Sequence, residues 1–140
     1  MPHVPAIRVH SLDEARIALG VARELRRPVI LVSAPGAAGH GGPGWWHALV
    51  EAARREYPDV AMTAILDCDD SAGDALASLR AGLGRIAFRG RPDVAAKLAD
   101  IAAQCGATMV ESPPDGLDLR GLRDRAAACR VWLRAEPGDG

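Results

Sequence analysis

Asp67, Cys68, Asp69 and Asp70 stand in a row where the apolar run Ala64-Ile65-Leu66 gives way to Ser71-Ala72. A buried-looking strand that runs into three carboxylates and a thiol, and then into a capped helix, sets those groups at the carboxyl edge of a parallel sheet. Ligands bind at that edge in open sheets and barrels alike. Asp67, Asp69 and Asp70 together could hold a cation such as magnesium, which favours carboxylate oxygens. Structural duties compete for two of them: Asp70 or Ser71 can cap the helix and Asp69 can complement its dipole. Asp67 has little structural work at a strand end, which makes it the leading catalytic candidate.

Three further groups belong to the same edge by position. Ser33 closes the run Val29-Ile30-Leu31-Val32 and opens the glycine-rich stretch Ala34 to Gly42, whose backbone N–H groups at Gly36 and Ala37 could approach an anion. That stretch lacks the Gly-Lys-Ser/Thr ending of a Walker loop and the spacing of a dinucleotide fingerprint, and it can equally serve as a flexible crossover. His40 within it could act as a general base, since a free imidazole titrates near pH ~6.5; a solvent-exposed loop histidine is the plainer reading. Arg89 and Arg91 flank Gly90 after the fourth strand and could fork onto a phosphate or carboxylate, or pair with Asp67 or Glu111. Ser33, His40, Asp67, Asp69, Arg89 and Glu111 thus mark one candidate edge.

The elements that must position these groups alternate along the chain. Apolar runs bounded by Gly and Pro predict strands at Ala6 to Val9, Pro28 to Ser33, Ala61 to Asp67, Arg85 to Arg89 and Ala107 to Glu111, with a short weak one from Val131 to Arg134. The runs lack polar alternation, as expected of strands covered on both faces. Between them, Ser11 to Glu14 and Ser71 to Asp74 read as capping boxes. Pro43 and Pro92 suit first helical turns, and Gly82 or Gly84 and then Gly106 suit helix stops. A last helix should carry Leu119, Leu122, Ala126 and Cys129. The expected fold is α/β, a parallel sheet of about 5–6 strands built from βα units, as a partial TIM-barrel-like layout or a flavodoxin-like three-layer sandwich.

With 140 residues, 49% of them hydrophobic, the chain suits a single α/β domain over residues 1–135, followed by a C-terminal tail, 136–140, that reads as disordered. Its 17 basic and 18 acidic residues leave a formal net charge of −1, which argues against nucleic acid as a partner. No window resembles a membrane span or a secretory leader, so the expectation is a cytoplasmic protein with no membrane partner. Cys68, Cys105 and Cys129 have no paired spacing, which argues against a disulfide framework. Cys105 and Cys129 fall on apolar helix faces and read as core.

From Ala6 through Glu111 the order of elements resembles the first five βα units of the class II fructose- and tagatose-bisphosphate aldolases, which are zinc-dependent TIM barrels. The resemblance is carried by Ala6-Ile7-Arg8-Val9-His10-Ser11-Leu12-Asp13, by Pro28 to Ala38 with Gly41-Gly42, and by Leu66-Asp67-Cys68 leading to Ala81-Gly82. It implies that Asp67 is the catalytic aspartate, and that Cys68 takes the place of a zinc-ligating histidine, with Asp69 replacing the glycine that follows. A thiolate can bind zinc at ~2.3 Å. Glu111 corresponds to an acid found at a similar place in that family. The family's remaining zinc histidines and phosphate loops belong to later strands, and this sequence has no histidine beyond His47. Ile65 to Asp69 also resembles the phosphatase signature of the haloacid dehalogenases, without their later lysine and acidic pair.

The resemblance implies a repurposed or non-catalytic aldolase relative that binds a small anionic or sugar-like ligand at the edge. An alternative is a metal-dependent aldehyde-lyase, with Cys68 and Asp69 in a zinc or magnesium site completed by another chain. A third reading is a structural assembly module. Five or six strands cannot close a barrel of eight, so a homo-oligomer is expected to cover the exposed edges. Trp45, Trp46 and Trp132 are either its anchors or ordinary core.

Overall fold

The computed structural model describes residues 4–135. Strands β1 (Ala6–Arg8), β2 (Val29–Val32), β3 (Met62–Asp67), β4 (Arg85–Ala87), β5 (Thr108–Val110) and β6 (Gly116–Asp118) alternate with helices α1 (Leu12–Leu25), α2 (Ala38–Glu56), α3 (Ala72–Arg80) and α4 (Pro92–Gln104), and α5 (Arg125–Arg134) follows β6. Strand order is β5-β4-β3-β2-β1-β6, with parallel pairing, so the fold is α/β as expected. The tail 136–140 lies outside the described residues.

The chain groups into two compact units. The first takes the residues up to Val32, Leu49–Thr63 and those from Pro114 onwards; the second takes Ser33–Ala48 and Ala64–Pro113.

In the first unit β1 lies between β2 and β6, with Ala6 opposite both Ile30 and Gly116. Ile7, Val29, Leu31 and Val32 are buried, as are Ala15, Ala18, Leu19 and Ala22 on α1. Ser11 caps α1 by accepting the Glu14 N–H at 3.1 Å, but Glu14 reaches back to the N–H of His10 (2.9 Å), so the box closes one residue earlier than expected. α5 packs on α1, with Arg125 beside Glu14 (3.5 Å) and Arg130 beside Glu24 (2.8 Å).

Two expectations fail here. Val131 to Arg134 is not a strand but the end of α5, which Asp124 starts by accepting the Ala127 N–H at 2.9 Å. Three alanines of high helix propensity carry the turn, and Leu133 is buried while Val131 is 75% exposed, a helical and not an alternating arrangement. The sixth strand is instead Gly116–Asp118, and Leu119 and Leu122 precede the last helix.

In the second unit β4 lies between β3 and β5, with Ile86 opposite Leu66 and Met109. Ile65, Leu66, Ile86, Ala87 and Phe88 are buried against Ala75, Leu79, Leu98 and Ala102 of α3 and α4. Ser71 caps α3 by accepting the Asp74 N–H at 3.2 Å, and Pro92 opens α4. Cys105 is exposed, contrary to expectation, because α4 ends at Gln104 and Cys105 forms its cap, past the buried stripe. The stretch after Ser33 is less of a loop than expected: residues from Ala38 are helical, interrupted at Gly42 (φ 79°, ψ 159°) just before Pro43. Trp46 is fully buried and Trp45 is 39% exposed.

Candidate functional site

The candidate site residues singled out from the sequence all fall in the second unit. β3 delivers Asp67 to the carboxyl end of a buried run, where its side chain is 2% exposed. Its carboxylate Oδ1 accepts the Asp69 N–H at 2.9 Å. Its own N–H donates to Ser33 Oγ at 2.9 Å, and Ser33 Oγ donates onward to the Ala34 carbonyl at 3.0 Å. Its carbonyl accepts the Gly36 N–H at 2.9 Å. Ser33, Gly36 and Asp67 are therefore one hydrogen-bonded corner, and Ala37 is buried beside it. Replacing Ser33 with Ala strips the acceptor from a buried N–H. It should lower stability by about 1–3 kcal/mol, read from urea unfolding, because an orphaned buried donor carries its full desolvation penalty.

Asp69 takes up the left-handed conformation (φ 52°) that Asp and Asn tolerate best after glycine. Its position corresponds to the glycine of the aldolase pattern, and the backbone explains why so few residue types suit it. Arg89 grips it twice, through Nε to Oδ1 (2.9 Å) and through its N–H to the Asp69 carbonyl (2.8 Å). The Asp69 carboxylate, by hydrogen bond and charge, pushes the Arg89 guanidinium further above its ordinary value. Arg91 is likewise engaged, with Asp93 at 3.2 Å. The arginines expected to fork onto an anion are thus paired with acids, and Arg89's partner is Asp69 instead of Asp67 or Glu111. His40 and Glu111 are exposed, His40 in the helical turn after Ala38 and Glu111 just past β5.

Cys68 is fully buried. Its thiol lies 3.8 Å from Ser78 Oγ and 3.9 Å from the Leu66 carbonyl. Burial pushes it up to about 11; the Ser78 hydrogen bond opposes this, and the charges of Asp74 and Asp67 add to it. A thiol that stays protonated in neutral solution is a poor zinc ligand, since metals bind the thiolate. Among the described residues no group of three or more His, Cys, Asp or Glu side chains is gathered to hold a metal ion. These residues do not fit the zinc site that the resemblance implies.

A second polar arrangement, in the first unit, escaped the sequence reading. His10 Nε2 lies 2.7 Å from Asp118 Oδ1, which also accepts the Arg120 N–H at 3.0 Å. Burial alone would raise the Asp118 carboxyl, but the Arg120 N–H, His10 and the charge of Arg8 outweigh it and hold it below its ordinary value. His10 follows β1 directly, which was visible; its partner sits on β6, which was not.

No family model matches this sequence. Among solved structures the chain is similar to a protein of Coccidioides immitis assigned as a fructose-1,6-biphosphate aldolase, with 16% identity and a TM-score of 0.66. The match covers 77% of this chain and 45% of that one, so this sequence spans less than half of the aldolase's length. A likeness of that kind shows a shared fold, and it fits a partial TIM-barrel-like layout in preference to the flavodoxin-like one. The chain also matches the YdjI aldolase of Escherichia coli K12 at 17% identity, over 73% of this chain and 52% of that one, with a TM-score of 0.40, too low to carry an argument. No described helix is long and apolar enough to cross a membrane.

Proposed function

We propose that this chain is a repurposed aldolase-fold domain whose second unit binds a small, hydroxyl-rich, sugar-like ligand at the carboxyl ends of β3 and β4, without aldehyde-lyase chemistry of its own. The observation that carries the reading is the buried Asp67 carboxylate, fixed by the Asp69 N–H in a corner that Ser33 and Gly36 complete. A fixed carboxylate accepts hydrogen bonds from sugar hydroxyls at little cost in reorganisation, and charge-assisted bonds are the stronger ones. Arg89 and Arg91 already have acidic partners, which favours a neutral polyol over the anionic ligand that was the other expectation. The Cys68 thiol, buried and protonated, supports a site that has left zinc chemistry behind.

Dihydroxyacetone and fructose are suitable probes in an amide-shift titration. Shifts should saturate at Gly36, Cys68 and Asp69, and Asp67→Asn should weaken binding by roughly tenfold or more while circular dichroism stays unchanged. Unaltered affinity in Asp67→Asn would sink the proposal. Cleavage of fructose 1,6-bisphosphate by the zinc-supplemented protein, lost in Cys68→Ser, would replace it with the lyase reading.

A further inference from the structure

The last turn of α1 carries Arg23, its cap is Arg26, and Arg27 and Pro28 lead into β2. These residues, with Ala22 and the turn Asp59-Val60-Ala61, line a half-open cavity of about 480 Å³ within the first unit. A volume of this size suits a small metabolite. Arg23 and Arg26 against Asp59 leave the described lining with an excess of positive charge in a chain whose net charge is −1, and Arg27 beside them has an interaction of its own. Ala22, Pro28, Val60 and Ala61 supply an apolar side. The fold gathers these arginines, from the end of α1 and the approach to β2, round one hollow.

Two details separate this cluster from ordinary surface charge. Arg23 lies over Tyr57, its guanidinium carbon 4.7 Å from the ring centroid, a cation–π contact that restrains the side chain. Arg26 occupies a left-handed backbone position (φ 54°, ψ 47°) where glycine is the favoured helix cap, and its guanidinium makes no hydrogen bond or ion pair among the described residues. A long charged side chain at a left-handed position where glycine is favoured is the pattern of a residue kept for a ligand. Guanidinium groups match phosphate in charge and in fork geometry, and a phosphate monoester carries close to two negative charges at neutral pH.

We propose that the cavity lined by Arg23, Arg26 and Arg27 binds a small organic phosphate, the phosphate on the Arg23 and Arg26 guanidinium groups and the carbon body against Val60, Ala61 and Pro28. Asp59 stands in the lining as an acceptor for a ligand hydroxyl. The site is independent of the Asp67 corner, and either proposal can fail without the other.

Calorimetric titration with inorganic phosphate and with glycerol phosphate tests it. Both should bind saturably, glycerol phosphate the tighter of the two, and Arg26→Gln and Arg23→Gln should each weaken binding roughly tenfold. Asp67→Asn should leave it unchanged. Arg26→Gly supplies a readout that a structural arginine would not give: the ligand-free protein should melt at a higher temperature than the wild type, and the rise in melting temperature on adding phosphate should shrink. Absence of saturable binding, or equal affinity in the wild type and Arg26→Gln, overturns the site. No gain for glycerol phosphate over inorganic phosphate overturns its assignment to an organic ligand.

Discussion

Raising the pH from 9 to about 11 should remove several kcal/mol of stability, because two buried thiols ionise only when the protein unfolds. Cys68 and Cys129 are both fully buried, and burial pushes each from an ordinary 9.0 up to about 11. A displacement of that size corresponds to about 3 kcal/mol for each thiol. The sign follows from proton binding. Between 9.0 and about 11 the unfolded chain has released these protons and the folded chain has kept them, so stability falls with rising pH. The contribution is complete below pH 9 and gone above about 11. Against a typical total of about 5–15 kcal/mol, the loss is a large fraction of the protein's stability.

Urea unfolding across this window, compared with the Cys68→Ala/Cys129→Ala variant, isolates the effect from other groups that titrate there. The stability difference between the two proteins should shrink as pH rises. A constant difference would show that the thiols do not carry the transition. In the native protein at neutral pH, a thiol reagent should label Cys105, which is exposed, and spare the other two.

Gly116→Ala should destabilise the protein by about 2–3 kcal/mol, at the upper part of the range for overpacked sites. A β-carbon on Gly116 would sit 2.9 Å from the Ala6 carbonyl oxygen and 3.1 Å from its carbon. The obstacle is backbone, not the end of a flexible side chain, and Ala6 is itself fully buried with that same oxygen accepting Trp132 Nε1 at 2.8 Å. Neither partner can give way without loosening the β1–β6 pairing. The variant should lose hydrogen-exchange protection at the Leu119 amide, which bonds the Arg8 carbonyl, along with the His10–Asp118 contact. Gly73→Ala is the control, since a β-carbon there meets nothing and alanine favours the helix. If the Gly116 and Gly73 variants prove equally stable, β6 is not pressed against β1.

The position of Asp67 at a strand end, before a capped helix, was readable because strand ends and helix caps are local events. Ser11, Ser71, Pro92, Gly82 and Gly106 act on residues within a turn or two of themselves, and each acted as its type dictates. Asp67 was correctly set at the end of β3 for the same reason. The partnership of Arg89 with Asp69 was not readable, since it depends on the left-handed turn that brings the Asp69 carbonyl and carboxylate to one guanidinium across twenty positions of chain.

By itself the sequence determined five of the six strands, the helices between them and the acidic rim, all from hydrophobic runs and caps that act at short range. Only the tertiary structure decided that Gly116-Leu117-Asp118 is a strand, because three residues with a single buried-type side chain gain strand character solely from β1 beside them. It likewise decided that Arg23, Arg26 and Arg27 share a cavity with Asp59. In each case the deciding contact joins residues far apart in sequence, and no local pattern encodes it.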